Sequence, residues 1–424
     1  VSHAYLFALV DGGGTVPPEL GVARRLIERG HRVRVLGEDS MAADVAATGA
    51  TFVPWRHAPN RPDRSVAHTA YRDWETTDPL ALARGMADHM IAGPASGQAR
   101  DVAAAIEGER PDLVLASFTA LGAMIGAEAE GVPFDVLLPN IYTMPAPGMP
   151  PMGLGLPPAT GRPGLLRDRA VNAMSTRLLG RYGLDRVNAA RAAHGLAPVP
   201  TIWDQVHRAR RELVMTSPEF DFPATLPANV RYVGPVLDDP SWAGGDWTPP
   251  PGDEPLVLVA MSSTFQDQTG CLQRITDALG TLVVRGLVTT GPALDPAVIH
   301  ASPNVRVVTA APHAQVLPVA TAVVTHGGHG TVIKALAAGL PTVVLPHGRD
   351  QADNAVRITA RGAGITISRE SSTPVIARAI NRVLSDPAFA RAARELGAAV
   401  AADAAGDVLI RELENLEDAT PAEG

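Results

Sequence analysis

The chain of 424 residues has one cysteine, Cys271, and one lysine, Lys334. A single thiol allows neither an intramolecular disulfide nor a cysteine-based zinc cluster, and it points to a reduced, cytoplasmic setting. Arginine stands almost everywhere in place of lysine and alanine is abundant, which reads as the codon bias of a GC-rich genome. Basic surplus is also missing: the net charge is −8, so the basic stripe of a nucleic-acid or anionic-membrane binder is not expected. No uncharged apolar run reaches about 18 residues, so no membrane span is expected. Ala4–Val10 is too short for the core of a signal peptide and runs into Asp11 and glycines, so no leader is expected there. No repeat with a period of about 20–50 residues is present.

What remains is an ordinary globular composition, 46 % hydrophobic and 19 % charged, in a chain too long for one core; two or three domains are expected. The N-terminal half opens with a buried-strand pattern, Ala4–Val10, then the turn Gly12-Gly13-Gly14. A helical stripe follows through Leu20, Val22, Ala23, Leu26 and Ile27, and then a second strand at His31–Leu36. This strand–helix–strand unit recurs at Leu113–Ala116, Ala120–Glu130 and Phe134–Leu138. In the C-terminal half, Leu256–Met261, Leu282–Thr289, Val305–Val308, Ala322–Thr325 and Thr342–Leu345 read as strands. Helices at Thr331–Ala338 and Asp353–Arg361 alternate with them. The pattern predicts an α/β protein of two doubly wound domains. Residues 1–233 form the first and 254–424 the second, with the Pro/Gly-rich stretch 234–253 as linker. Met144–Gly164, dense in Pro, Gly and Met, is too long for a plain connection and is expected to be functional or mobile. The polar tail after Glu417 is expected to fray.

The chemistry-bearing segment is Thr325-His326-Gly327-Gly328-His329-Gly330-Thr331, placed between a strand and a helix. Glycines admit a ligand close to the backbone, and the helix start offers free N–H groups and a positive dipole end to a phosphate. The plainer alternative is a strand–helix turn with Thr331 as a cap. Asp350 and Gln351 follow the next strand, and neighbouring strand ends share one crevice in such a sheet. The pair suits sugar hydroxyls, or simply caps a helix.

Val308–Asn354 resembles the donor-binding signature of family-1 glycosyltransferases of the GT-B fold. The matching pieces are Pro312, Leu317-Pro318, His326–Gly328, Gly330-Thr331, Ala337–Pro341, Asp350-Gln351 and Asn354; Arg231–Val236 is also similar. The likeness runs, more weakly, through the N-terminal half and is nearest to actinobacterial enzymes that decorate polyketides and other secondary metabolites. It implies two Rossmann-like domains facing a central cleft, with the acceptor in the first and a nucleotide-diphosphate sugar in the second. The last helix is expected to return to the N-terminal domain. By that resemblance His326, Gly328, Gly330 and Thr331 hold the diphosphate, with Ser262 and Ser263 as a hydroxyl loop or an ordinary polar turn. Asp350 and Gln351 meet the sugar, and Ala310–His313, with Pro312 and His313, lines the base pocket. Family members that use UDP often carry a Glu where this chain has Lys334, to grip both ribose hydroxyls. A lysine has no acceptor to offer them, so a dTDP-sugar is favoured, unless Lys334 is merely a solvated helix residue.

The family's acid–base pair is missing. Its His matches Thr15 and its Asp matches Ser117. Asp11, at the end of the first strand, is the nearest substitute base if burial raises its pKa; otherwise it braces the glycine turn. Thr15 could only orient an acceptor. Other routes are an acceptor acidic enough to need no base, or a carboxylate such as Asp63 or Asp73 swinging in. Trp55, Trp74, Tyr71, Tyr142, Met144, Met149 and Met152 are candidate acceptor walls, each with core packing as its alternative. The expected activity is inverting, metal-independent transfer to a small apolar molecule, with no cofactor beyond the co-substrate. A homodimer is a further candidate assembly. A GT-B-type sugar-nucleotide epimerase and a non-catalytic binding partner are the competing readings. A dehydrogenase is disfavoured, because Gly12–Gly14 lacks the full dinucleotide spacing.

Overall fold

The computed structural model describes residues 2–244 and 247–416; Gly245 and Asp246 of the linker and the tail beyond Leu416 lie outside the described residues. The N-terminal half builds a seven-stranded sheet: β1 Ala4–Ala8, β2 Arg32–Gly37, β3 Thr51–Pro54, β4 Leu113–Ser117, β5 Phe134–Leu138, β6 Arg211–Val214 and β7 Val230–Tyr232. Its strand order is β3-β2-β1-β4-β5-β6-β7. The C-terminal half builds a six-stranded sheet from β8 Leu256–Ala260, β9 Arg285–Thr289, β10 Val305–Val308, β11 Ala322–Thr325, β12 Thr342–Val344 and β13 Gly364–Thr366. Its order is β10-β9-β8-β11-β12-β13. Every strand pairing is parallel. Helices cover both faces, so the central strands are mostly apolar, with Asp135 in β5 and Ser117 at the end of β4 as the polar exceptions; all five residues of β1, β4, β5 and β8 are buried.

Strand order reverses between β1 and β4 in one sheet and between β8 and β11 in the other. Ligands in open α/β sheets bind at such reversals, outside the carboxyl ends of the strands. Here the two reversal points face each other. Gly13 lies at φ +73°, and a Cβ placed on it would come within 2.6 Å of Thr264 and 3.1 Å of the Ser263 hydroxyl. Glycine therefore lets the turn after β1 touch the loop after β8.

Met144–Gly164 is strapped to the C-terminal half: Gly155 N–H donates to Asp353 at 2.9 Å, and Met149 Sδ lies 3.2 Å from the Arg357 guanidinium. The stretch runs into a helix of 33 residues, Gly161–Ala193, which the sequence pattern did not reveal. The last helix, Val408–Glu414, returns to the N-terminal half. Leu409, Ile410 and Leu413 join the core of β1 and the Val16–Glu28 helix, and the Tyr5 hydroxyl donates to the Leu413 carbonyl at 3.0 Å.

A buried ion pair joins the halves. Arg357, on the Gln351–Ala360 helix, meets Asp221 at 2.7 Å, with both side chains at most 3 % exposed. Asp221 also accepts from the Tyr142 and Phe222 N–H groups and from the Tyr232 hydroxyl, each at 2.8 Å. Removing one member strands a buried charge. Arg357→Met should therefore lower the free energy of unfolding by about 3–5 kcal/mol in denaturant titrations; a loss below ~1 kcal/mol would contradict this role.

Candidate active site in the cleft

One cavity of about 860 Å³ runs between the two reversal points. Its C-terminal wall starts at β11. Gly328 caps the helix His329–Ala337, whose first-turn N–H groups have no partner within the helix. A Cβ on Gly328 would stand 2.6 Å from His326 Nε2, so glycine is what lets the imidazole lie beside the helix start. Asn354 donates to the Gly327 carbonyl at 3.0 Å and to Asp350 at 2.7 Å, which fixes the loop. Asp350 accepts also from Asn140 of the N-terminal half at 2.9 Å. A chain of amides links the strand ends: Gln266 donates to the Ser262 hydroxyl at 2.8 Å, and Gln351 donates to Gln266 at 2.7 Å.

Of the expected donor residues, Ser262, Ser263, His313, His326, Gly328, Gly330, Thr331, Asp350 and Gln351 line this cavity. Pro312 is not among its lining residues and instead caps the short helix His313–Val316. Burial, with His347 and Arg349 nearby, pushes the His326 imidazole down to about 3, so it is neutral and offers one N–H. Burial raises the Asp350 carboxyl against the pull of Asn140 and Asn354. Lys334 is not a solvated surface residue. It lines the cavity and holds Asp239 of the linker at 2.7 Å, while Ala314 N–H donates to the other carboxylate oxygen at 3.0 Å. Burial pushes Asp239 up, but the Lys334 ammonium, the Ala314 N–H and His313 together outweigh it and hold the carboxyl low.

The N-terminal wall is apolar. Tyr71, Trp74, Met144 and Met152 line it as expected, together with Met86, Met90 and Phe118. Trp203 and the cleft face of the Gly161–Ala193 helix, through Leu178 and Leu179, complete it. Tyr142, Met149 and Trp55 do not line it: all three sit within the N-terminal hydrophobic core, 1 %, 3 % and 3 % exposed. Tyr142 is drawn inward by its N–H bond to Asp221, and Trp55 by the bond of its indole to the Leu9 carbonyl at 3.2 Å. At the mouth, Arg349 pairs with Asp73 at 2.7 Å and Trp74 packs edge-on against Phe265 at 5.3 Å, so the Asp73–Glu75 turn bridges the halves. Asp63 is bound at the surface by Ser65 and His68.

Asp11 is placed as a brace and is not among the residues lining the cavity. Its carboxylate accepts from Gly13 N–H at 3.0 Å, the Ser40 hydroxyl at 2.8 Å and Arg64 at 2.7 Å, with Arg61 at 3.8 Å. Burial pushes Asp11 up, but Arg64, Arg61 and Ser40 outweigh it and hold the carboxyl below its usual value. The expected pKa rise is reversed because the buried carboxylate has buried cations beside it. Thr15 and Ser117 do line the cavity, and with them a carboxylate that the motif reading passed over, Glu19. It lies four residues after Thr15, the N-cap of the Val16–Glu28 helix, a spacing that puts both on one face.

Among the described residues, no three His, Cys, Asp or Glu side chains are grouped to hold a metal ion, and no helix is long and apolar enough to cross a membrane.

Residues 273–416 match the family model described as erythromycin biosynthesis protein CIII-like, C-terminal domain. The chain is 31 % identical over 404 residues to 4'-demethylrebeccamycin synthase of Lentzea aerocolonigenes, covering 91 % of this chain and 92 % of that protein. It is 27 % identical over 406 residues to oleandomycin glycosyltransferase of Streptomyces antibioticus, covering 94 % and 87 %. Among solved structures, the glycosyltransferase of kitacinnamycin superposes with a TM-score of 0.76 at 25 % identity, covering 97 % of this chain and 98 % of that one. The glycosyltransferase VinC, solved in complex with dTDP, shares the fold with a TM-score of 0.69 at 20 % identity, covering 97 % and 99 %.

The Asp11 brace has a pH signature. A lowered folded-state pKa gives stability that is present above the unfolded value, about pH 4, and lost as pH falls through the folded value. Asp11→Asn should cost about 3–5 kcal/mol at pH 7, the scale for breaking a buried pair, and the gap from wild type should narrow below about pH 4. Equal unfolding free energies at pH 7 would refute the brace.

Proposed function

This chain belongs to the GT-B glycosyltransferases of actinobacterial natural-product biosynthesis, and we propose that it moves a sugar, with inversion, from a dTDP-sugar to a hydroxyl of a small apolar metabolite. The observation that carries this reading is that one cavity joins a phosphate-type helix start to an apolar wall on the opposite half. A diphosphate at His326–Thr331 would present the anomeric carbon toward the N-terminal wall. An acceptor lying there approaches from the face opposite the leaving group, which is the geometry of inversion. The helix start and the Arg349 guanidinium would meet the developing diphosphate charge without a metal.

Asp350 and Gln351 would then hold the sugar hydroxyls. The base and ribose fall at the Thr309–His313 end, where Lys334 occupies Asp239. Both oxygens of that carboxylate already accept a bond, which suits a deoxyribose with one hydroxyl to satisfy. An epimerase is less favoured, because it has no use for the second, apolar pocket; a non-catalytic partner is less favoured beside relatives that are named as enzymes.

Competition calorimetry tests the donor assignment. dTDP should bind more tightly than UDP, and His326→Ala should weaken dTDP by about 1–3 kcal/mol, the cost of a lost hydrogen bond to a charged group. Binding and transfer should persist in EDTA. Tighter binding of UDP, or an affinity untouched by His326→Ala, would overturn it.

A further inference from the structure

The proposed transfer, on which this inference rests, needs a destination for the acceptor's proton. Asp11 is occupied by arginines, while Glu19 carries no such partner. It sits in the first turn of the Val16–Glu28 helix, fully buried, with Oε1 accepting from the Ser117 hydroxyl at 2.6 Å. Its Oε2 is enclosed and has no hydrogen-bond partner. Ser117 stands at the carboxyl end of β4, where its oxygen also receives the Val10 N–H at 3.3 Å, and both side chains line the cleft. We propose that Glu19 is the proton acceptor of the reaction and that the Ser117 hydroxyl relays the proton to it from the acceptor molecule.

Atoms and charges balance in one step. The acceptor oxygen bonds the anomeric carbon as the bond from that carbon to the phosphate oxygen breaks, and the diphosphate leaves with the electron pair. The acceptor's proton passes to Ser117 Oγ as the serine's own proton passes to Glu19 Oε1. Glu19 ends as a neutral acid and later returns the proton to solvent.

The charge environment agrees. Burial drives the Glu19 carboxyl up, the Ser117 bond opposes it and the Asp11 charge adds to the rise, leaving it at about 8. Arg61, Arg64 and Glu38 lie beyond Asp11 and are engaged with it or with each other. Asp238 of the linker packs on Gly21 of the same helix and is held by Arg24 at 2.7 Å. The facing loop, Ser262–Thr264, carries only hydroxyls. A base with a pKa near the working pH is the effective kind.

Two measurements decide it. In carbon-13 NMR of protein labelled at the glutamate carboxyls, one resonance should titrate near pH 8, the value expected for Glu19, and vanish in Glu19→Gln. The absence of any glutamate titrating above about pH 6, well beyond the ordinary range, overturns the proposal whether or not a substrate is turned over. In single turnovers from dTDP-glucose to a polycyclic secondary alcohol, Glu19→Gln should slow transfer by about 10²–10⁴-fold and abolish the rising alkaline limb, with dTDP affinity unchanged. Ser117→Ala should act likewise and Ser117→Thr should recover most of the rate; these variants decide the relay if Glu19→Gln folds poorly. Transfer by Glu19→Gln within a few-fold of wild type overturns the proposal. A wild type that transfers nothing counts instead against the proposed function, and the carboxyl titration still decides Glu19.

Discussion

The pairing of Asp221 with Arg357 is the contact on which the geometry of the cleft depends. Two charges have been taken out of water, and such a pair is tolerated only when every remaining lone pair and proton is satisfied. Asp221 accepts from two backbone N–H groups and the Tyr232 hydroxyl besides the guanidinium, and Arg357 also stacks on Phe222 at 4.4 Å. A displacement of either half would break several of these bonds at once. Because Arg357 lies on the helix that begins at Gln351, the same contact sets where Asp350 and Gln351 stand relative to the apolar wall. The His329 imidazole, 2.9 Å from the Thr216 hydroxyl, and Asp403, 2.6 Å from the Ser217 hydroxyl, add direct bonds along the same seam.

The proposed chemistry turns on which partner each buried carboxylate has. Asp11 and Glu19 lie eight residues apart near one turn, and both are pushed up by burial. Two arginines reverse the push at Asp11, whereas one serine hydroxyl only moderates it at Glu19. Environment of this kind separates acid–base roles between like residues. By the family resemblance Thr15 and Ser117 match the positions of the catalytic His and its Asp, which would put a hydroxyl where an orienting carboxylate is expected. A carboxylate from the helix stands behind it.

Much of this was readable in the sequence. The central strands of both sheets are mostly apolar, so β1, β5, β8 and β11 appear in the sequence with ends correct to within two residues, and β10, an edge strand with Arg306 exposed, appears from its three valines. Other strands did not appear: β3, β7 and β13 are short and partly exposed, and β6 carries Arg211 and Glu212, both buried. The Gly161–Ala193 helix starts at Gly-Arg-Pro-Gly and buries few of its residues, so it gives no clean apolar stripe. The C-terminal wall was legible because its loops follow strand ends in local motifs. The apolar N-terminal wall was legible only through Tyr71, Trp74, Met144 and Met152, because it gathers residues from separated segments, and burial of Tyr142 and Met149 depends on tertiary contacts. Glu19 was missed for a related reason: a base was sought at the end of a strand, while the carboxylate arrives from the next helix.

Every role proposed for the cleft requires transfer from one wall to the other. The most direct test follows the anomeric proton of a dTDP-sugar by NMR, with and without an apolar polycyclic alcohol. The donor signal should persist without the alcohol. With it, the signal should give way to a product of opposite anomeric configuration as dTDP appears in equal amount. A product that retains the donor's configuration, or a donor signal that decays to the same epimer or free sugar whether or not the alcohol is present, would contradict it.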